Sequence, residues 1–119
     1  MIDYLINKLY ALKRFLRKDW NRAFRLYSQR LTQGFPDSDT WNLDYHIAEY
    51  SLPRLRRFKE VNNGYPGDLT PEKWDEMLDD MIYSMDVIVN RDSFDDDVDD
   101  ERVHRGLKLF GQRFRHLWW

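Results

Sequence analysis

Residues 70–88, TPEKWDEMLDDMIYSMDVI, carry the clearest structural pattern in the chain. With successive residues about 100° apart around a helix axis, Trp74, Met77, Leu78, Met81, Ile82, Met85 and Ile88 form one stripe without a charge in it. Asp75, Glu76, Asp79 and Asp86 lie outside that stripe. Thr70 followed by Pro71 marks the start, because a threonine hydroxyl caps free amides and proline costs nothing at the first helical position. The stretch predicts an amphipathic helix with one face in a core.

Turn chemistry precedes it: NNGYPGDLT (62–70) contains Asn-Gly and Tyr-Pro-Gly. An acidic linker follows, RDSFDDDVDDE (91–101), in which Asp99 or Asp100 is placed to cap a last helix presenting Val103, Leu107, Phe110, Phe114 and Leu117. Trp118 and Trp119 after it are expected to close the core or join a partner chain. At the other end, Leu5, Leu9, Leu12, Leu16, Trp20, Phe24, Tyr27 and Leu31 recur at helical spacing between Lys13, Arg14, Arg17, Lys18, Arg22 and Arg25, a long amphipathic helix with a break expected near Asp19. Gly34 and Pro36 end it, and Ser38 or Asp39 is the expected cap of a second helix over WNLDYHIAEYSLPRLRRFKE (41–60), kinked at Pro53. Alternating β-branched runs are absent. The predicted fold is all-α: one domain over 1–119, a compact bundle of four or five helices with a proline-kinked second helix.

The chain has no cysteine, which removes disulfides, thiolate catalysis and Cys-ligated zinc and fits a cytosolic protein. No apolar run approaches the roughly 20 residues of a membrane span. Neither a Ser-His-Asp or Cys-His arrangement nor a Gly-rich phosphate loop is present. The net charge of −2 conceals segregation: residues 1–35 hold eight Lys/Arg against Asp3 and Asp19, and residues 61–101 hold fourteen Asp/Glu against Lys73 and Arg91. Such asymmetry is expected to draw helices together, or to make an anionic-ligand site on the basic helix.

The second helix departs from the pattern of the third. Leu43, Ile47, Ala48, Leu52, Leu55 and Phe58 share a broad arc, and Asp44, Ser51 and Arg54 fall inside it. A charge on a buried arc must be paired, must reach solvent along its stem, or must line a cavity. One reading has Asp44 and Arg54 holding the bundle together. The other has Arg54, Arg56, Arg57 and Lys59, with Trp41, Tyr45, Tyr50 and Tyr65, bounding a pocket for an anion with flat rings. Arginine forks bind phosphate, aromatics stack on bases, and a carboxylate accepts from a guanine edge.

Metal-binding patterns are weaker. Asp95, Asp97 and Asp99 imitate the start of a calcium loop, but Asp100 and Gly106 stand where glycine and glutamate are needed. His46 with Glu49, and Glu76 with Asp79, share helix faces at i, i+3 and could share Mg²⁺, as in all-α nucleotide pyrophosphatases.

Asp39-x-Trp41-x-Leu43-Asp44, Ile47-Ala48, Pro53-Arg54-Leu55, Phe58-Lys59, Asn63-Gly64-Tyr65-Pro66 and Leu69-Thr70-x-Glu72-x-Trp74 together resemble a widespread family of small bacteriophage proteins, over roughly residues 33 to 90. The resemblance implies a sponge against cyclic-oligonucleotide (CBASS) defence, which sequesters a signal such as 3′,3′-cyclic GMP-AMP in a homo-oligomer without cleaving it. It carries over Arg54, Trp41, Asp44 and Tyr65 as ligand residues; Arg57 and Tyr45 join them from helix geometry.

The expectation is therefore a non-enzymatic, cofactor-free phage protein of the host cytoplasm, a dimer or tetramer, binding a cyclic dinucleotide and neither a membrane nor a nucleic-acid polymer. One rival is a protein–protein module, either a host-enzyme inhibitor or a virion component; another is the metal-dependent pyrophosphatase. A sponge collects arginines and aromatics in a pocket, whereas an inhibitor spreads them over a flat patch.

Overall fold

The computed structural model describes residues 1–91 and 95–119. Four α-helices occur among them: α1 (Ile2–Gln33), α2 (Leu43–Val61), α3 (Pro71–Asn90) and α4 (Asp100–Gln112), with short 3₁₀ helices at Asp37–Thr40 and Phe114–His116. No strand is present among the described residues, so the all-α expectation is met at that level. The chain divides into two compact units, residues 1–42 and 43–119.

In the second unit α3 is central, packing on both α2 and α4. The core consists of Ala48, Leu52 and Leu55 from α2 and Trp74, Leu78, Met81 and Met85 from α3, with half-buried Leu109, Phe110 and Leu117 against them. The charge-free stripe of residues 70–88 is thus the element that the core is built on. Thr70 caps α3 by accepting the Lys73 N–H at 3.2 Å, with Pro71 at the first helical position. Asp99 caps α4 by accepting the Arg102 N–H at 3.1 Å, and its own N–H donates to the Tyr83 hydroxyl at 2.9 Å.

α3 and α4 meet where buried Gly106 faces Ser84. A Cβ on Gly106 would fall on the Ser84 hydroxyl and on the Asp80 carbonyl. The Ser84 hydroxyl lies 2.7 Å from the Val103 carbonyl and 3.0 Å from the Asp80 carbonyl, sharing its proton between the two helices. Beside it Asp80 accepts from Arg102 Nε at 2.9 Å and Arg105 Nε at 3.0 Å. Burial pushes the Asp80 carboxyl up, but hydrogen bonds from Arg105 and Arg102 more than offset this and hold it below its ordinary 3.8. Arg113 adds a two-pronged bond to Asp68, at 3.1 and 2.9 Å, and Lys59 binds Asp79 at 2.6 Å.

Several expectations are corrected. α2 begins at Leu43 rather than at residue 41, and Ser38 and Asp39 sit in the 3₁₀ helix instead of capping α2. Pro53 lies inside α2 and does not divide it. α1 is unbroken at Asp19. The last helix ends at Gln112, before the exposed Phe114, and its buried residue is Gly106 rather than Leu107. Trp118 and Trp119 do not close the core, being 73% and 75% exposed. Of the acidic linker, residues 92–94 lie outside the described residues.

Gly106→Ala tests the α3–α4 contact by its sign. Helix propensity alone favours alanine by about 1 kcal/mol, whereas forcing a methyl onto the neighbouring backbone costs about 1–3 kcal/mol; the expected net is a lower urea midpoint. Asp80 gives a pH test. Its folded pKa is depressed, so its stabilisation is present above 3.8 and lost as pH falls through the lower folded value. Asp80→Asn is expected to lower stability by about 1–2 kcal/mol at pH 7 and to flatten the decline below pH 4, read from denaturant melts across pH.

Candidate functional site

In the first unit the end of α1 builds a cleft. Gly34, at φ 87°, takes the left-handed conformation that turns the chain and donates its N–H to the Arg30 carbonyl. Two glutamines then fasten the returning segment. Gln29 donates to the Asp37 carboxylate at 2.8 Å and accepts the Asp37 N–H at 2.7 Å, while Gln33 donates to the other Asp37 oxygen at 2.9 Å. Pro36, next to Asp37, is buried. Arg22, Arg25, Leu26 and Gln29, spaced i, i+3, i+4 and i+7, share one face of α1, and with Asp37, Ser38 and Trp41 they enclose a cleft of about 180 Å³. Trp41 is 76% exposed there. Both Asp37 oxygens are already hydrogen-bonded, so the accessible chemistry is two guanidinium groups and an indole face.

In the second unit Tyr65 lines a cleft of about 240 Å³ with Trp74, His116, Trp118 and Trp119. Its loop is held by Asn62, which donates to the Gly64 carbonyl at 2.7 Å and accepts the Gly64 N–H at 3.2 Å. Between α3 and α4 a wider cleft of about 530 Å³ presents Lys73, Glu76, Asp79, Asp80, Arg102 and Arg105; Arg102 also lies over the Tyr83 ring. These charges are engaged with one another: Asp80 with two arginines, Asp79 with Lys59, Glu76 with Lys73.

The remaining expected ligand residues lie along α2. Asp44 and Arg54 are exposed, contrary to the arc drawn from periodicity, because α3 covers only the side of α2 that carries Ala48, Leu52 and Leu55. The opposite edge of that arc is open, with Leu43, Ile47 and Tyr50 on it. Arg54 lies 3.6 Å over the Tyr50 ring and donates to the Tyr50 carbonyl at 2.8 Å. Tyr45 stands edge-on to His46, and Arg57 pairs with Glu60 at 2.9 Å. Asp44 and Arg57 are thirteen residues apart, about 20 Å along the helix, so these side chains do not converge on one small ligand. Tyr65 and Trp41 each enter a cleft, but not one that contains Arg54 or Arg57.

Arg22 and Arg25 are the cations that sequence reasoning left on the polar side of a basic helix. The signal that marks them, a glutamine pair one and two turns downstream gripping Asp37, is visible only once the chain has turned back at Gly34. His46 lies 3.8 Å from Glu49. Among the described residues no group of three or more His, Cys, Asp or Glu side chains is arranged to hold a metal ion. Asp97 of the calcium-loop pattern pairs with Arg91 at 2.7 Å, while Asp99 is the α4 cap. Comparison with protein families, curated proteins and solved structures returned no match.

Exposure of Asp44 and Arg54 predicts that Asp44→Ala and Arg54→Ala each change unfolding free energy by no more than about 0.5 kcal/mol, the range of ordinary surface substitutions. Chemical denaturation checks this; a loss above about 2 kcal/mol would place either residue in the framework of the fold.

Proposed function

We propose that this protein is a non-catalytic binder of a nucleotide-class ligand and acts by sequestering it. The supporting observation is the cleft in which the turn after α1 sets Trp41 beside Arg22 and Arg25. Guanidinium forks suit phosphate oxygens, and an exposed indole offers a stacking surface to a base. At about 180 Å³ the cleft falls below the roughly 300–1,000 Å³ of a site enclosing a drug-sized ligand. It suits one ring and its phosphate. A cyclic dinucleotide is two such units with near two-fold symmetry, and a two-fold dimer offers two equal clefts to it. The reading is therefore a homo-oligomeric sponge for a 3′,3′-cyclic GMP-AMP-like signal, serving a phage against host defence in the host cytoplasm, as the family resemblance implies.

A second reading, an interaction module such as a host-enzyme inhibitor or virion component, is favoured by a different observation: α1 buries no side chain. The two separate in a calorimetric titration against a panel of cyclic dinucleotides, followed by denaturation and analysis of the released ligand. Sequestration predicts one ligand per two chains, intact recovery, and binding weakened about 5- to 150-fold by Trp41→Ala, the range of a lost stacking contact. Arg22→Ala and Arg25→Ala should weaken it at least tenfold. Recovery of cleaved product would instead mean a hydrolase. Absence of heat with every ligand would overturn the sponge and leave the interaction module.

A further inference from the structure

Leu5, Leu9, Leu12, Leu16, Trp20, Phe24, Tyr27 and Leu31 are each more than half exposed on α1. Their spacings of three and four residues keep them on one face for about 40 Å of helix. That apolar face lies opposite the one carrying Arg22, Arg25 and Gln29, so the Trp41 cleft leaves it bare. Helix geometry puts Lys13 and Arg17 along one edge of the stripe and Lys8 and Arg30 along the other, with Asp19 as the acidic residue at an edge. Arg14, Lys18, Arg22 and Arg25 occupy the far side.

We propose that α1 docks on an anionic lipid surface, lying flat with its apolar face among the headgroups and upper acyl chains. A helix with leucines and aromatics on one face and cations on the other is the form that binds in this way. The stems of Lys8, Lys13, Arg17 and Arg30 reach up beside the stripe to lipid phosphates, and Trp20 and Tyr27 have the amphipathic rings that settle at headgroup level. The association is peripheral; among the described residues no helix is long and apolar enough to cross a membrane. It departs from the sequence expectation of no membrane partner.

Charge chooses lipid over the other occupants of an apolar helix face. Antiparallel pairing with a second copy sets Lys13 and Arg17 against themselves, and parallel pairing sets Lys13 near Lys8 and offers only Asp19, near Arg17, as an acidic partner; most edge cations go unmatched either way. An acidic protein groove touches the edges of the helix and leaves the far side out of contact. The potential of an anionic bilayer extends about one Debye length, ~10 Å, which is close to the helix diameter of ~10–12 Å. All eight Lys/Arg of α1 then contribute.

The test is flotation of the full chain with vesicles of phosphatidylcholine alone and of phosphatidylcholine with phosphatidylserine. Binding at least ~10-fold stronger to the anionic vesicles is expected, falling steeply between ~0.1 and ~0.5 M salt. Leu9→Asp with Leu16→Asp should abolish it. Lys13→Gln with Arg17→Gln, a second pair that leaves the apolar face intact, should weaken it severalfold, while both keep the thermal transition of the α2–α4 unit. Trp41→Ala should leave vesicle binding unchanged, which separates this test from that of the cleft. Equal binding to both vesicle types, or binding to neither, overturns the proposal. So does sedimentation of a vesicle-free dimer that Leu9→Asp with Leu16→Asp dissociates, since the occupant is then a second copy.

Discussion

The close approach of α4 to α3 at Gly106 and Ser84 is the constraint on which the second unit depends. With no side chain at Gly106, the backbone of α4 comes near enough for one buried hydroxyl to reach carbonyls of both helices. Asp80 can receive Arg102 and Arg105 together because α4 lies so near, and the Asp99 amide reaches the Tyr83 hydroxyl for the same reason. The helix carries a glycine at a propensity cost of about 1 kcal/mol, offset by the packing that the glycine permits. A larger residue would hold the helices apart and leave Ser84 buried without its second carbonyl.

The two sides of α3 are joined by different physics. Towards α2 the contact is apolar, with Ala48, Leu52 and Leu55 on Trp74, Leu78, Met81 and Met85, and it is non-directional. Towards α4 apolar packing by Leu109 and Phe110 is joined by hydrogen bonds with defined donors and acceptors, from Ser84 to Val103 and from Arg102 and Arg105 to Asp80. Ionic contacts then reinforce the periphery, through Arg113 on Asp68 and Lys59 on Asp79. The charge segregation along the chain is used here: the basic last segment meets the acidic middle one. The basic α1 is a separate case, because its apolar residues remain exposed.

That exposure connects structure to the two functional proposals. The polar face of α1 carries the Trp41 cleft, fastened by Gln29 and Gln33 on Asp37, and the opposite face carries the bare stripe. A helix so divided can hold a small ligand on one side while the other lies on a surface, because the two sets of residues do not overlap. α2 has a milder version of the same division, with its open edge carrying Leu43, Ile47, Tyr50 and the stacked Arg54.

The sequence by itself determined the local structure: the all-α class, the charge-free stripe of α3, the Thr70–Pro71 start, a cap at Asp99 or Asp100 and the turn at 62–70. These are decided within a few residues, by periodicity, capping and turn chemistry, and need no distant partner. Tertiary structure decided which faces are covered. Periodicity drew one broad arc on α2 and placed Asp44 and Arg54 inside it, but burial belongs to the neighbour that arrives, and α3 covers only half of that arc. The same reasoning gave α1 an apolar face and could not say that it stays open, and it passed over Gly106, whose missing side chain has meaning only opposite Ser84. Trp41 was legible as a candidate from its resemblance motif; Arg22 and Arg25 were not, since their nearness to it depends on the chain reversing at Gly34.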